Sequence, residues 1–222
     1  RQEGQARRTQ GAAVTRMKFC GLTRPEDIAA VNRIRPDYAG FVFAPKSRRC
    51  VTPEAAAALR ARLDPAIVAV GVFVHAAPEQ VACLVREGVI EAVQLHGNED
   101  EDYIARLRKL TSAPILRAFR IDAPVALNQA RTSSADAVML DAGAGDGRVF
   151  DWTWLEDFDR PYFLAGGLRP ENVAEALARL QPWAVDVSSG IETDGFKDER
   201  KMAAFAAAVR NAQTKNDREK QA

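Results

Sequence analysis

The sequence predicts an α/β fold of one domain, a closed (β/α)8 TIM barrel. Three observations carry this expectation. Short apolar runs alternate with longer helical patterns from Met17 onward. A faint internal repeat returns at an interval long enough for two strand–helix units. The polar residues of the runs fall on one face and at their C-terminal ends, where barrel enzymes place their chemistry.

The strand-like runs are Lys18–Cys20, Tyr38–Phe43, Ile67–Val74, Ala92–His96, Ile115–Phe119, Ala137–Asp141, Tyr162–Ala165 and Ala184–Ser188. Between them lie Ala/Leu/Arg segments of helical spacing, such as Pro53–Leu63, Pro78–Glu87 and Pro170–Leu180. Strands that alternate with helices imply right-handed parallel βαβ units. Pro-Glu opens four helices, at Pro25, Pro53, Pro78 and Pro170. Proline suits a first turn, where its missing N–H has no partner to lose, and glutamate complements the positive end of the helix dipole. Thr23 to Glu26 fits a capping box.

The repeat is carried by Ala39, Ala92, Ala137 and Ala184, each inside an Ala-Val-like strand, at intervals of 53, 45 and 47 residues. Four such steps make eight units. The rival fold is an open doubly wound sheet, which usually carries a glycine-rich turn after its first strand. Here that turn is Cys20-Gly21-Leu22-Thr23, with one glycine. Side chains alternate along a strand, so Ala137, Met139 and Asp141 share the inner face. The same parity turns Lys18 with Cys20, Gln94 with His96, and Asp186 with Ser188 inward.

The bulk properties exclude several classes. The chain has 222 residues, 47% of them apolar, enough for one sizeable core. With 31 basic and 30 acidic residues it carries no nucleic-acid footprint. No apolar run approaches the ~20 residues of a membrane span. Cys20, Cys50 and Cys83 are an odd count without close pairing, as expected of reduced thiols in a cytoplasmic protein. His75 and His96 stand far apart, so no metal site is expected. Residues 1–16 are polar and lack a secretory core, so we expect a disordered extension, the barrel over 17–212, and a polar, fraying tail over 213–222. The expected partner is a small-molecule substrate. A monomer is expected, with a homodimer as the alternative.

Several mouth residues could carry chemistry. Cys20 ends the first strand and is either a base or nucleophile, or a small buried filler. Asp141 ends the sixth, before a glycine-rich loop, and is either a general acid or a turn former. Gly166-Gly167 follows the seventh strand and Ser188-Ser189-Gly190 the eighth. Such loops bind phosphate through backbone N–H groups, although a lone Gly-Gly is usually a turn. Lys46-Ser47-Arg48-Arg49 follows the second strand. It is either a carboxylate grip or a solvated basic loop. Asp186 either orients a catalytic group or pairs structurally with Lys18. His96 reads as a hydrogen-bonded mouth residue rather than a catalyst.

Taken in order, these segments resemble one family. They are Lys18-Phe-Cys-Gly-Leu-Thr23, Gly40-Phe-Val-Phe-Ala-Pro-Lys-Ser-Arg-Arg49, Val70-Gly-Val-Phe-Val74 and Val93-Gln-Leu-His-Gly97. Leu140-Asp141, Phe150-Asp-Trp152, Ala165-Gly-Gly-Leu-Arg-Pro-Glu-Asn-Val173 and Val185-Asp-Val-Ser-Ser-Gly190 complete the set. The family is that of the phosphoribosylanthranilate isomerases of tryptophan biosynthesis, and the likeness spans roughly Met17 to Val209. The resemblance implies eight βα units, no cofactor and an Amadori rearrangement of N-(5-phosphoribosyl)anthranilate. It implies Cys20 as general base, Asp141 as general acid and Arg49 on the anthranilate carboxylate. Gly167, Ser189 and Gly190 would hold the phosphate, with Asp186 and His96 in support. Cys50 departs from the pattern, where an aromatic residue is frequent. So do Arg148 and Val149, where Lys-Thr is usual. The rivals are another phosphate-binding barrel or a non-catalytic one. Indole-glycerol-phosphate synthase would need other mouth residues. The histidine-pathway isomerase uses aspartates on strands one and five, where Cys20 and Phe119 stand here.

Overall fold

The computed structural model describes residues 14–123, 125–141, 152–155 and 157–221, with side chains described through residue 214. Eight parallel strands close into a barrel in sequence order. They are β1 (Arg16–Cys20), β2 (Tyr38–Val42), β3 (Val68–Phe73), β4 (Ala92–Leu95), β5 (Ile115–Arg120), β6 (Ala137–Asp141), β7 (Tyr162–Ala165) and β8 (Ala184–Val187). The ring is sealed between its ends, with Lys18 in register with Asp186 and Phe19 with Val187.

Helices follow most strands. They are α1 (Pro25–Ile34), α2 (Pro53–Arg60), α3 (Pro78–Arg86), α4 (Glu101–Arg108), α5 (Val125–Thr132), α6 (Val173–Leu180) and α7 (Glu199–Gln221). After β6 the described residues include a 3₁₀ turn, Trp152–Leu155. After β8 come a second 3₁₀ turn, Ser189–Ile191, and a small hairpin of β9 (Glu192–Thr193) and β10 (Phe196–Lys197). The extension expected over residues 1–16 falls, through residue 13, outside the described residues, as does the glycine-rich loop 142–150.

Pro25, Pro53 and Pro78 do open helices. Pro170 does not: it sits in a tight turn in which Asn172 donates its backbone N–H to the Arg169 carbonyl, and α6 begins at Val173. The capping box of α1 is one residue later than expected. Pro25 takes the first helical position, so the third is Asp27 rather than Glu26. The buried Asp27 carboxylate accepts the N–H groups of Thr23 at 2.9 Å and Arg24 at 3.0 Å, while Glu26 faces solvent.

Strand parity sorts the core into two layers. Phe19, Val93, Val138, Leu140 and Val185 point outward and pack beneath the helices. Leu116, Ala118, Met139, Phe163, Ala165 and Ala184 fill the barrel interior. The repeat read from the sequence is out of phase in β2. Ala39 belongs to the outer layer, and Tyr38 packs inside with Ala137 and Trp183.

The end of the barrel away from the strand C-termini is tied by the last helix. The Gln213 amide donates to the Thr15 carbonyl at 2.7 Å, and Arg210 donates to the Ile34 carbonyl at 2.6 Å. Arg16 at this end lies over the Trp183 ring, 4.4 Å from its centroid.

Candidate active site

A cavity of about 640 Å³ opens at the C-terminal mouth of the barrel. It brings together Cys20 from β1, Arg49 from the loop after β2, His96 after β4, Asp141 from β6, Gly167 after β7, and Asp186 and Ser189 from β8 and its loop. Of the site residues expected from sequence, Gly190 alone is not among the lining residues. Its part is to let two loops meet: a Cβ there would stand 1.9 Å from the Leu168 carbonyl oxygen. Gly167 is the opposite case. Its φ is 65°, which disfavours any side chain, and a Cβ built there meets nothing within 4 Å. The β7 loop therefore leaves bare backbone beside open space, as an anion cradle requires.

The wall between β1 and β3 is apolar, made of Val42, Ala44 and Val72 packed around Cys20. Cys20 is a free, buried thiol. Burial pushes it above the usual thiol range, and the Lys18 ammonium pulls against that rise. Lys18 lies one layer below the mouth, fully buried, with its Nζ 2.7 Å from Asp186 Oδ1. Burial alone would discharge this lysine, but Asp186 and Cys20 outweigh it and hold its pKa above the ordinary value.

Across the mouth, Gln94 Nε2 donates to His96 Nδ1 at 2.8 Å, and His96 Nε2 lies 3.2 Å from Asp141 Oδ2. With Nδ1 accepting, the neutral ring carries its proton on Nε2 and donates to the carboxylate. His96 thus fixes one oxygen of Asp141.

The basic loop after β2 is not a solvated loop at Arg49. Its stem crosses Gly21, where a Cβ would stand 2.3 Å from Arg49 Cδ. Its guanidinium donates to both oxygens of Glu192, from Nε at 2.6 Å and Nη2 at 2.8 Å. Lys197 of β10 binds the same carboxylate at 2.7 Å and the Ser188 carbonyl at 2.9 Å, so the hairpin also shapes the β8 loop. Burial would raise Glu192, but these partners push it down to about 2.

Glu192, Lys197 and Arg120 escaped the reading of the sequence. Strand five runs one residue beyond Phe119. Phe119 packs in the outer layer, and Arg120 is the residue that lines the cavity, in register with Asp141. The alternation Leu116, Ala118, Arg120 was the available signal. Among the described residues no cluster of His, Cys, Asp or Glu is arranged to hold a metal ion, and no helix is long and apolar enough to cross a membrane.

Fold and cavity together define the class: a (β/α)8 barrel with a cavity at the C-terminal mouth of its strands, where enzymes of this fold place their chemistry. The model of the N-(5'-phosphoribosyl)anthranilate (PRA) isomerase family matches residues 17–208, and the chain belongs to that family. An N-(5'-phosphoribosyl)anthranilate isomerase of Endomicrobium trichonymphae is 40% identical over 201 residues, covering 88% of this chain and 98% of its own. One from Acetivibrio thermocellus is 43% identical over 213 residues, covering 90% and 97%. Among solved structures, the phosphoribosyl anthranilate isomerase of Thermus thermophilus superposes with a TM-score of 0.80 at 36% identity, covering 89% of this chain and 99% of that one. Another phosphoribosyl anthranilate isomerase was solved with reduced 1-(o-carboxyphenylamino)-1-deoxyribulose 5-phosphate. Its TM-score is 0.77 at 33% identity, covering 89% of this chain and 99% of that one.

Proposed function

We propose that this chain converts N-(5'-phosphoribosyl)anthranilate to 1-(2-carboxyphenylamino)-1-deoxyribulose 5-phosphate in tryptophan biosynthesis, using Asp141 as acid and Cys20 as base. The observation that carries this reading is one cavity lined by a thiol, a carboxyl, a guanidinium and a glycine shelf. Asp141 gives a proton to the ribose ring oxygen as the ring opens. The nitrogen lone pair forms an iminium, which acidifies the hydrogen on C2. The Cys20 thiolate takes that proton and leaves an enol-amine, which tautomerises to the ketone. Cys20 then yields its proton to solvent and Asp141 regains one, so nothing is gained or lost overall.

The phosphate is assigned to the backbone of Gly167, Ser189 and Gly190, and the anthranilate ring to the apolar wall of Val42, Ala44 and Val72. Arg49 is assigned to the ring carboxylate. A guanidinium has five N–H donors, and Glu192 engages two of them. The reaction needs no cofactor. A reduced thiol suits the cytoplasm. The large exposed apolar side chains among the described residues, Val14, Val74, Leu110, Val125 and Phe196, are scattered along the chain with no two in one element, which suits a monomer. The test is loss of anthranilate-type fluorescence when the pure protein meets phosphoribosylanthranilate. No consumption above the spontaneous rate overturns the proposal.

A further inference from the structure

Barrel interiors are usually filled with branched apolar residues. Here one inner position carries a fully buried lysine facing a buried aspartate. A buried ion pair is a poor stabiliser, because desolvation offsets the attraction, and apolar residues of similar size would serve packing as well. The pair stands directly under Cys20. Lys18 and Cys20 are two residues apart on one strand and so share the inner face. Their side chains converge on the bare Cα of Gly40, where a Cβ would lie 3.0 Å from Cys20 Sγ and 3.1 Å from Lys18 Nζ. Any larger residue there would wedge between ammonium and sulfur.

We infer that Lys18 is a positioning residue for Cys20, held between two anions, Asp186 and the Cys20 thiolate. In the resting enzyme the ammonium serves Asp186. When Cys20 releases its proton to solvent, the ammonium shares its hydrogen bonds with the sulfur and stabilises the base. Either anion, Asp186 or the thiolate, keeps the lysine charged, whereas the negative charge of Asp186 opposes the thiolate. The two members of the pair therefore act on Cys20 with opposite sign.

The other charged groups near the sulfur are fixed by their own partners. Lys197 is bound to Glu192 and to Ser188, and Arg49 to Glu192. From β2 and the loop that follows it, Gly40, Val42 and Ala44 face the thiol, while Tyr38 packs one layer lower against Phe163 and Trp183. Burial raises Cys20, Lys18 lowers it and Asp186 raises it, in that order of size.

This inference rests on Cys20 being the base, and the test separates the two claims. In a Cys50→Ser, Cys83→Ser background, the rate of Cys20 alkylation by iodoacetamide is followed against pH by intact mass. Circular dichroism monitors folding. Lys18→Met should move the alkylation inflection upward and slow the reaction near pH 8 by about tenfold or more, since the thiolate is the nucleophile. Asp186→Asn should move it downward. The pH profile of kcat/KM, which reports the free enzyme, should shift with it in each variant. Damage to packing would not move the two variants in opposite directions. If Lys18→Met does not fold, Asp186→Asn and the Lys18→Met/Asp186→Asn double variant decide, the double variant lying above Asp186→Asn. Shifts in the same direction, or none, overturn the role of Lys18. Opposite alkylation shifts with an unmoved kcat/KM profile leave Lys18 coupled to Cys20 and overturn Cys20 as the base.

Discussion

Cys20 and Asp141 can each be changed with little disturbance to the barrel. Cys20→Ala removes one buried sulfur, and Asp141→Asn keeps the shape of a partly buried carboxyl. Each should lower kcat by about 10²–10⁴-fold, or ~3–5 kcal/mol of barrier, with near wild-type circular dichroism. Near wild-type turnover in either variant would remove that residue from the mechanism. Glu192 makes a prediction about pH. Its carboxyl is pushed down to about 2, against ~4.3 in an unfolded chain. A depressed carboxylate contributes its stability above the unfolded value and loses it as pH falls through the folded one. Urea unfolding should therefore find Glu192→Gln less stable than wild type at pH 7, with the gap closing between about pH 4.3 and about 2. A gap that does not change with pH would deny the network this role. That Cys20 and Asp141 line one cavity was legible because they end strands and stand inside ordered motifs. Glu192 was not, because it lies 143 residues from Arg49 on a hairpin with no periodic signal. Only the closed ring brings them together.

At the scale of elements, the loops after β2 and β7 make separable claims about the two ends of the substrate. Arg49→Ala should weaken an anthranilate-bearing product analogue by tenfold or more, at about 1.5–3 kcal/mol for a hydrogen bond to a charged group. It should leave inhibition by inorganic phosphate unchanged. Gly167→Val should do the reverse, because a branched side chain at φ 65° both strains the loop and fills the cradle. Inhibition constants for both ligands in both variants check this, and the opposite pattern would mean that the substrate lies the other way round. Gly190→Ala should cost stability as well as phosphate affinity, since its Cβ would meet the Leu168 carbonyl. Element identity was readable from periodicity and proline, as α1, α2 and α3 testify. Exact starts were not. At α6 the Asn172 side chain competes with a helical start by bonding the Gly167 carbonyl at 3.0 Å and the Arg169 N–H at 2.9 Å, which delays the helix past Pro170.

For the whole molecule, light scattering on a size-exclusion column should return one species near 24.3 kDa. A mass near twice that at micromolar concentration would reject the monomer, and one Thermotoga maritima relative is described as a dimeric phosphoribosylanthranilate isomerase. Eight strands were countable in the sequence because parallel strands buried on both faces read as short apolar runs. The phase of each strand was harder to read. In β2 both Tyr38 and Ala39 are compatible with burial, and only the register of Lys18 with Tyr38 decides which looks inward. The bond from Gln213 to the Thr15 carbonyl brings the two ends of the barrel's chain together at the pole opposite the cavity. The covalent break in this ring is then a matter of convenience rather than architecture. A short linker across the two ends, with new termini opened in a surface loop away from the mouth, should give a permutant that folds and turns over. A reporter domain joined directly before Thr15 or directly after Gln213 should start beneath the barrel and leave the substrate's approach clear.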